Sequence, residues 1–294
     1  MTSEMPPLDL LVIGGLTIDR FPDGSSAAGG SVLHIARAAA PRGIRVGVMT
    51  AAGPEPEARI GVEELRRAAA WVDCERAEGT ITFRHRESEA GREMWLERAG
   101  VQLHLATEPA SRGASRAVLI APLAAEIDAE GLQALDGTRA RGAILQGWLR
   151  QAAAGGEVQP LPLAALEESL VDLLSGFDLL VASREDLRGE AREPRDQLRA
   201  MRIRFGDAPT LLVTDGANGV WIQASTSSGP DEGWHLPVPW RVDDVNTVGS
   251  GDILAAFMLV GEWQRPPSSA FFERAETAMR VVAEVLEARR TDLA

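Results

Sequence analysis

Short apolar runs alternate with helical segments through most of this chain, and that rhythm restricts the folds open to it. Leu8 to Gly15, Ile44 to Thr50, Ala117 to Ala121, Gly142 to Gln146, Phe177 to Val181 and Thr210 to Thr214 read as buried strands. Between them, Ser31 to Ala40, Glu57 to Ala70 and segments near 126–136, 163–174, 184–188 and 194–205 read as helices. Strands with no polar face must be covered on both sides, so the pattern predicts a doubly wound α/β fold with a mostly parallel sheet. Ligands in such folds bind beyond the carboxyl ends of the strands.

One stretch has a different texture. Thr80 to Arg86 alternates apolar with polar, and Glu93 to Arg98 pairs with it across a turn at Glu89-Ala90-Gly91-Arg92. Alternation means one wet face, which predicts an exposed hairpin rather than a covered strand. Thr226 to Trp234 reads as a surface turn between two strands, and no long linker or repeat divides the chain.

Composition excludes several functions. The formal net charge of −13 argues against nucleic acid as a partner. All 30 basic residues are arginine, which removes the lysine that Walker-type loops and Schiff-base catalysis require. No apolar run approaches the roughly 20 residues of a membrane span. The lone Cys74 suits a reducing cytoplasm, and His85, His104 and His235 are scattered without metal-ligand spacing.

The chemistry concentrates at Asn246-Thr247-Val248-Gly249-Ser250-Gly251-Asp252, which runs into the apolar stretch Ile253 to Leu259. A glycine turn opening a helix presents unpartnered N–H groups to an anion. Asp252 in that first turn either caps the helix or takes a proton from an attacking hydroxyl while a phosphate sits on the turn. The second reading is phosphoryl transfer.

These pieces together resemble the ribokinase-like (PfkB) carbohydrate kinases, nearly end to end. The family's Asp-Thr-x-Gly-Ala-Gly-Asp is matched by Asn246 to Asp252. Its early strand, nearby aspartate and Gly-Gly helix entry are matched by Val12-Ile13-Gly14, Asp19 and Gly29-Gly30. The resemblance implies one ribokinase-like domain over 1–294, with a β lid from about 15–28 and 80–105. It implies Asp252 as general base, with Gly249, Ser250 and Gly251 as the anion hole. Asp19, Gly29, Gly30 and His34 would meet the substrate, with His34 as pocket wall. Thr214, Gly216, Gly219, Asn246 and Thr247 would lie on the nucleotide side, with ATP and Mg²⁺ as cofactors. The Asp215-Gly216 to Asn218-Gly219 pattern also suits an ordinary hairpin.

Three departures qualify that inheritance. Asn246 replaces an aspartate, which weakens the expectation of a monovalent cation beside the loop. Ser183-Arg184-Glu185-Asp186 replaces Asn-x-x-Glu, so Asp186 either orients metal waters or caps a helix. His34 replaces an asparagine, so no known sugar preference transfers. Ile144-Leu145-Gln146-Gly147-Trp148 is similar to a segment of plant-type myo-inositol kinases, which points to a cyclitol or related polyol; Trp148 also suits ordinary core. The alternatives are a nucleoside kinase, with Phe83 and Trp95 gripping the base, and a non-catalytic sugar- or nucleotide-binding relative. The hairpin's exposed edge is also a route to a homodimer.

Overall fold

A computed structural model describes residues 7–88, 91–103, 115–133, 140–152, 156–225, 233–243, 245–260 and 268–291. The chain begins in strand β1 (Leu10–Gly14), with all five residues buried, as a strand covered on both faces requires. It leaves that layer through β2 (Thr17–Arg20) and β3 (Ser26–Gly29), then enters helix α1 (Ser31–Ala39). β4 (Val46–Ala52), α2 (Pro56–Ala68) and β5 (Trp71–Arg76) follow, and then the hairpin β6 (Ile81–Ser88) and β7 (Gly91–Arg98). Next come β8 (Ala117–Ala121), α3 (Ala129–Gln133), β9 (Ala140–Ile144) and the short β10 (Arg150–Gln151), β11 (Gly156–Glu157) and β12 (Gln159–Pro160). α4 (Glu168–Ser175), β13 (Leu179–Ser183), α5 (Pro194–Phe205) and β14 (Thr210–Thr214) resume the alternation. β15 (Val220–Gln223), β16 (Trp234–Leu236), α6 (Ser250–Leu259) and α7 (Ser268–Thr291) complete it.

The main sheet has nine strands in the order β16-β15-β14-β13-β9-β8-β1-β4-β5. Every pairing from β14 to β5 is parallel, and only the β14–β15 and β15–β16 pairings at one edge are antiparallel. The period-2 geometry of a strand divides each one between two cores. Leu10 and Val12 pack with α1 and α6 on one face, while Leu11 and Ile13 pack with α4 and α5 on the other. From β1 the chain steps outward to β4 and β5, then returns to β8 on β1's other side. The crevice outside the carboxyl ends at such a reversal is where open α/β sheets bind ligands.

A second sheet, β11-β7-β6-β2-β3, stands apart from the first. The expected hairpin forms its middle, and its inner face buries Ile81, Phe83 and Leu96 against Leu123. Its outer face is wet, with Arg84 over the Trp95 ring at 4.8 Å and paired with Glu97 at 3.0 Å. β2 joins β6 in parallel, setting Asp19 opposite Phe83.

Several local expectations need correction. Residues 184–188 form turns, not a helix. Ser183 Oγ accepts the Asp186 amide at 3.1 Å and donates to its carboxylate at 2.6 Å, a side-chain alternative that competes with helix. Near 126–136 only Ala129–Gln133 is helical among the described residues, because Glu126 turns back to accept the amides of Leu123 and Ala124. The 163–174 segment splits into a 3₁₀ turn at Leu163–Ala165 and α4, because Leu166 is extended between them. His104, most of the 226–234 turn and the tip of the hairpin at 89–90 lie outside the described residues. Among the described residues no helix is long and apolar enough to cross a membrane.

Candidate active site

The two sheets enclose a cleft of about 730 Å³ at the carboxyl ends of the main strands. Twelve of the fourteen residues singled out above lie on its wall; Gly29 and Asn246 do not. Both of those sit behind the wall and shape it.

Asp252 is 9% exposed in the first turn of α6. It does not behave as a cap, since the N-cap position is Gly249 and no side chain caps this helix. Burial pushes the carboxyl up to about 6 from an ordinary 3.8. The Ser31 hydroxyl and the charges of Arg150 and Arg289 pull it down, while Asp186 pushes it up. A carboxylate whose ionised form the fold resists is misplaced as a structural element and well placed as a proton acceptor near neutral pH.

The turn before it is held from behind. Gly249 has a φ of 81°, and a Cβ there would lie 2.3 Å from the His34 ring, so only glycine fits. The Val248 amide donates to Asn246 Oδ1 at 3.0 Å, and the Ser250 amide donates to the Thr247 carbonyl at 3.1 Å. Ser250 therefore cannot offer its amide to a ligand as the motif suggested. The amides of Gly249, Gly251 and Asp252 have no acceptor among the described residues. Arg289, near the end of α7, donates to the carbonyls of Asn246 at 3.0 Å and Val248 at 2.7 Å. Nothing local in the sequence pointed to it.

His34 is 9% exposed on α1, and burial, with Arg289 and Arg37 nearby, drops its pKa to about 4. The ring is therefore neutral at ordinary pH. Its Nδ1 faces Arg289 Nη2 at 3.5 Å, and its Nε2 has no partner among the described residues.

Elsewhere on the cleft wall, the Asp19 carboxylate is held by two neighbours. Thr17 Oγ1 donates to Oδ2 at 3.2 Å, and His85 Nε2 lies 2.8 Å from Oδ1. Phe21 stacks on the His85 ring with centroids 5.4 Å apart. Viewed along the chain His85 looked isolated, yet the β2–β6 pairing makes it a cleft residue. Gly29 is required here because a Cβ would lie 2.1 Å from Asp19 Oδ2. Its role is to admit the carboxylate rather than to admit a sugar.

Asp186 does reach the cleft, but its oxygens are engaged. Arg150 Nε binds Oδ1 at 3.0 Å and Ser183 binds Oδ2 at 2.6 Å. Among the described residues no group of three His, Cys, Asp or Glu side chains is arranged to hold a metal ion. These residues fit a divalent ion held mainly by a ligand's phosphates and water, with Asp186 acting at most through water.

The 214–219 turn closes the far end. Asp215 accepts from Arg184 at 3.0 Å and from Asn218 at 3.1 Å, and Gly219 has a φ of 109° with the Leu236 carbonyl where a Cβ would stand. The turn is thus a hairpin connection that also walls the cleft. Val220, Val238, Met279, Val282, Ala283 and Leu286 give the cleft wall an apolar lining.

Residues 97–292 match the pfkB family of carbohydrate kinases. No curated protein matches the chain by sequence. A pyrophosphate-dependent kinase of the ribokinase family, complexed with a pyrophosphate analogue and myo-inositol, shares the fold at 21% identity and a TM-score of 0.71, covering 94% of each chain. Adenosine kinase from Schistosoma mansoni, in complex with 2-fluoroadenosine, superposes at 14% identity and 0.69 over 96% of each chain. Ribokinase from Cryptococcus neoformans var. grubii serotype A, in complex with ADP, superposes at 17% and 0.62 over 92% of this chain and 91% of its own. The chain belongs to the pfkB family, and its reaction class is phosphoryl transfer to a hydroxyl group.

Because the folded pKa of Asp252 lies above its unfolded value, the native state holds this proton more tightly than the unfolded chain does. The stability this confers is complete below about pH 4 and is lost as pH rises through about 6. Asp252→Asn, which stays neutral, should therefore melt higher than wild type above pH 6, by up to about 3 kcal/mol at 1.36 per pKa unit. The gap should close below pH 4. Equal melting at pH 5 and pH 8 would show that the carboxylate is not strained.

Proposed function

We propose that this pfkB-family kinase moves the terminal phosphoryl group of ATP onto a hydroxyl of a small polyol or sugar seated beside Asp19. The observation that carries the reading is the desolvated Asp252, held near 6, at the same helix start that leaves three amides open.

Asp19, held by Thr17 and His85, offers its carboxylate to adjacent hydroxyls of the acceptor. One further hydroxyl reaches Asp252, which accepts its proton as the oxygen attacks the terminal phosphorus. The new O–P bond forms opposite the bond to the leaving ADP oxygen, which breaks with its electron pair. The amides of Gly249, Gly251 and Asp252 bind the phosphoryl oxygens, with Thr214 and Thr247 on the cleft wall nearby. The neutral His34 forms part of the cleft wall beside Gly249. Mg²⁺ supplies charge neutralisation on the donor phosphates, and Asp186 would hold it through water. The second sheet acts as a lid that covers the acceptor.

The apolar lining from Val220, Val238, Met279, Val282, Ala283 and Leu286 has the chemistry of an adenine slot, which favours a nucleotide donor over pyrophosphate. For a nucleoside acceptor the support is thinner: Phe83 lines the cleft, but Trp95 lies under Arg84 on the outer face.

With Mg²⁺, purified protein should consume ATP in the presence of myo-inositol, another polyol or a hexose, and Asp252→Asn should lose about 10²- to 10⁴-fold in kcat. A variant that keeps wild-type kcat refutes the base assignment. Turnover with pyrophosphate and none with ATP refutes the nucleotide slot. His85→Ala should raise the acceptor KM by about 10- to 100-fold, the worth of a charged hydrogen bond, with the ATP KM unchanged. Equal changes in both constants would place His85 outside the acceptor site.

A further inference from the structure

Behind the glycine turn, the side chain of Arg289 meets three groups in one place. Nη1 donates to both Asn246 O and Val248 O, at 3.0 and 2.7 Å, and Nη2 faces the neutral His34 Nδ1 at 3.5 Å. Two backbone carbonyls directed at one point create a patch of negative potential on the most conformationally permissive part of the chain. Such a patch needs a positive charge or several donors to keep its shape. An exchangeable monovalent cation is one solution, and the family resemblance leads one to expect it beside this loop.

The residues present do not fit that ion. Asn246 brings no negative charge, and its Oδ1 is already committed to the Val248 amide. The carbonyls that would coordinate an ion carry a guanidinium instead. The His34 ring lines the cleft and packs against Gly249, so the turn is held by ring and guanidinium together. Arg289 itself does not line the cleft. It is anchored in the 24-residue helix α7, so its charge cannot be washed out.

We propose that Arg289 is a tethered cation that replaces an exchangeable monovalent ion, positions the 246–249 turn and makes this kinase independent of K⁺. The proposal rests on the phosphoryl-transfer reading of the turn, in that the turn presents the anion-binding amides. Arg289 is a positioning residue: it acts through the turn and touches no substrate. Its charge also reaches Asp252, where it favours the ionised form needed to accept a proton.

The test uses wild type and Arg289→Gln, which keeps much of the stem and loses the charge. Melting is followed without substrate in KCl and in tetramethylammonium chloride at equal ionic strength. Wild type should melt identically in the two salts. Arg289→Gln should melt lower and regain stability selectively in KCl, because K⁺ now has access to the freed carbonyls. In turnover, its kcat should fall by about 10- to 100-fold, as for other residues that orient a site from behind, and KCl should restore part of it. A wild type that K⁺ stabilises or activates overturns the proposal. So does a variant with wild-type melting and kcat, or one whose lowered melting ignores K⁺. If no acceptor is ever turned over, the kinase reading fails while the melting comparison still decides the role of Arg289.

Discussion

The site depends on a carboxylate kept out of water. Asp252 sits in the first turn of α6, where the sheet, α1 and the glycine turn leave it little solvent. Burial alone would drive it to the neutral acid. Arg150, Arg289 and the Ser31 hydroxyl offset that tendency, and the balance leaves the group near 6. Each of those helpers has a second task. Arg150 pairs with Asp186, Arg289 grips the turn's carbonyls, and Ser31 opens the helix that carries His34. The acidity of one side chain therefore ties together α1, the β10 strand, α6 and α7.

Asp19 and Asp252 both line the cleft, and different layers position them. Asp19 belongs to the second sheet, where Thr17 and His85 hold its two oxygens; Asp252 belongs to the helix layer of the main sheet. In the proposed mechanism the acceptor is gripped by Asp19 and deprotonated by Asp252. Orientation of this kind supplies much of the rate in phosphoryl transfer, where the protein does little covalent chemistry.

Much of this was legible in the sequence, and the rest was hidden for physical reasons. The six inner parallel strands of the main sheet announce themselves because a strand covered on both faces must be apolar throughout, as at Leu10 to Gly14, whereas the charged edge strand β5 does not. The hairpin shows as alternation, and the Gly249 turn as a pattern only glycine can adopt. His85, Arg150 and Arg289 carry no such local mark. Their partners Asp19, Asp186 and Asn246 lie far off in sequence, and a charge pair between distant elements leaves no periodicity. The 184–188 segment misled for the opposite reason: its residues tolerate helix, but Ser183 and Asp186 satisfy each other and the backbone locally. Gly29 was read as making room for a ligand when it makes room for Asp19.

The central claim is that the ionisation of Asp252 gates proton removal from the acceptor. The direct measurement is kcat/KM for the acceptor as a function of pH, at saturating ATP and Mg²⁺, with the fold verified at each pH. The expected profile loses one decade per pH unit below a single break near 6. A profile flat to below pH 5, with the protein still folded, would contradict it.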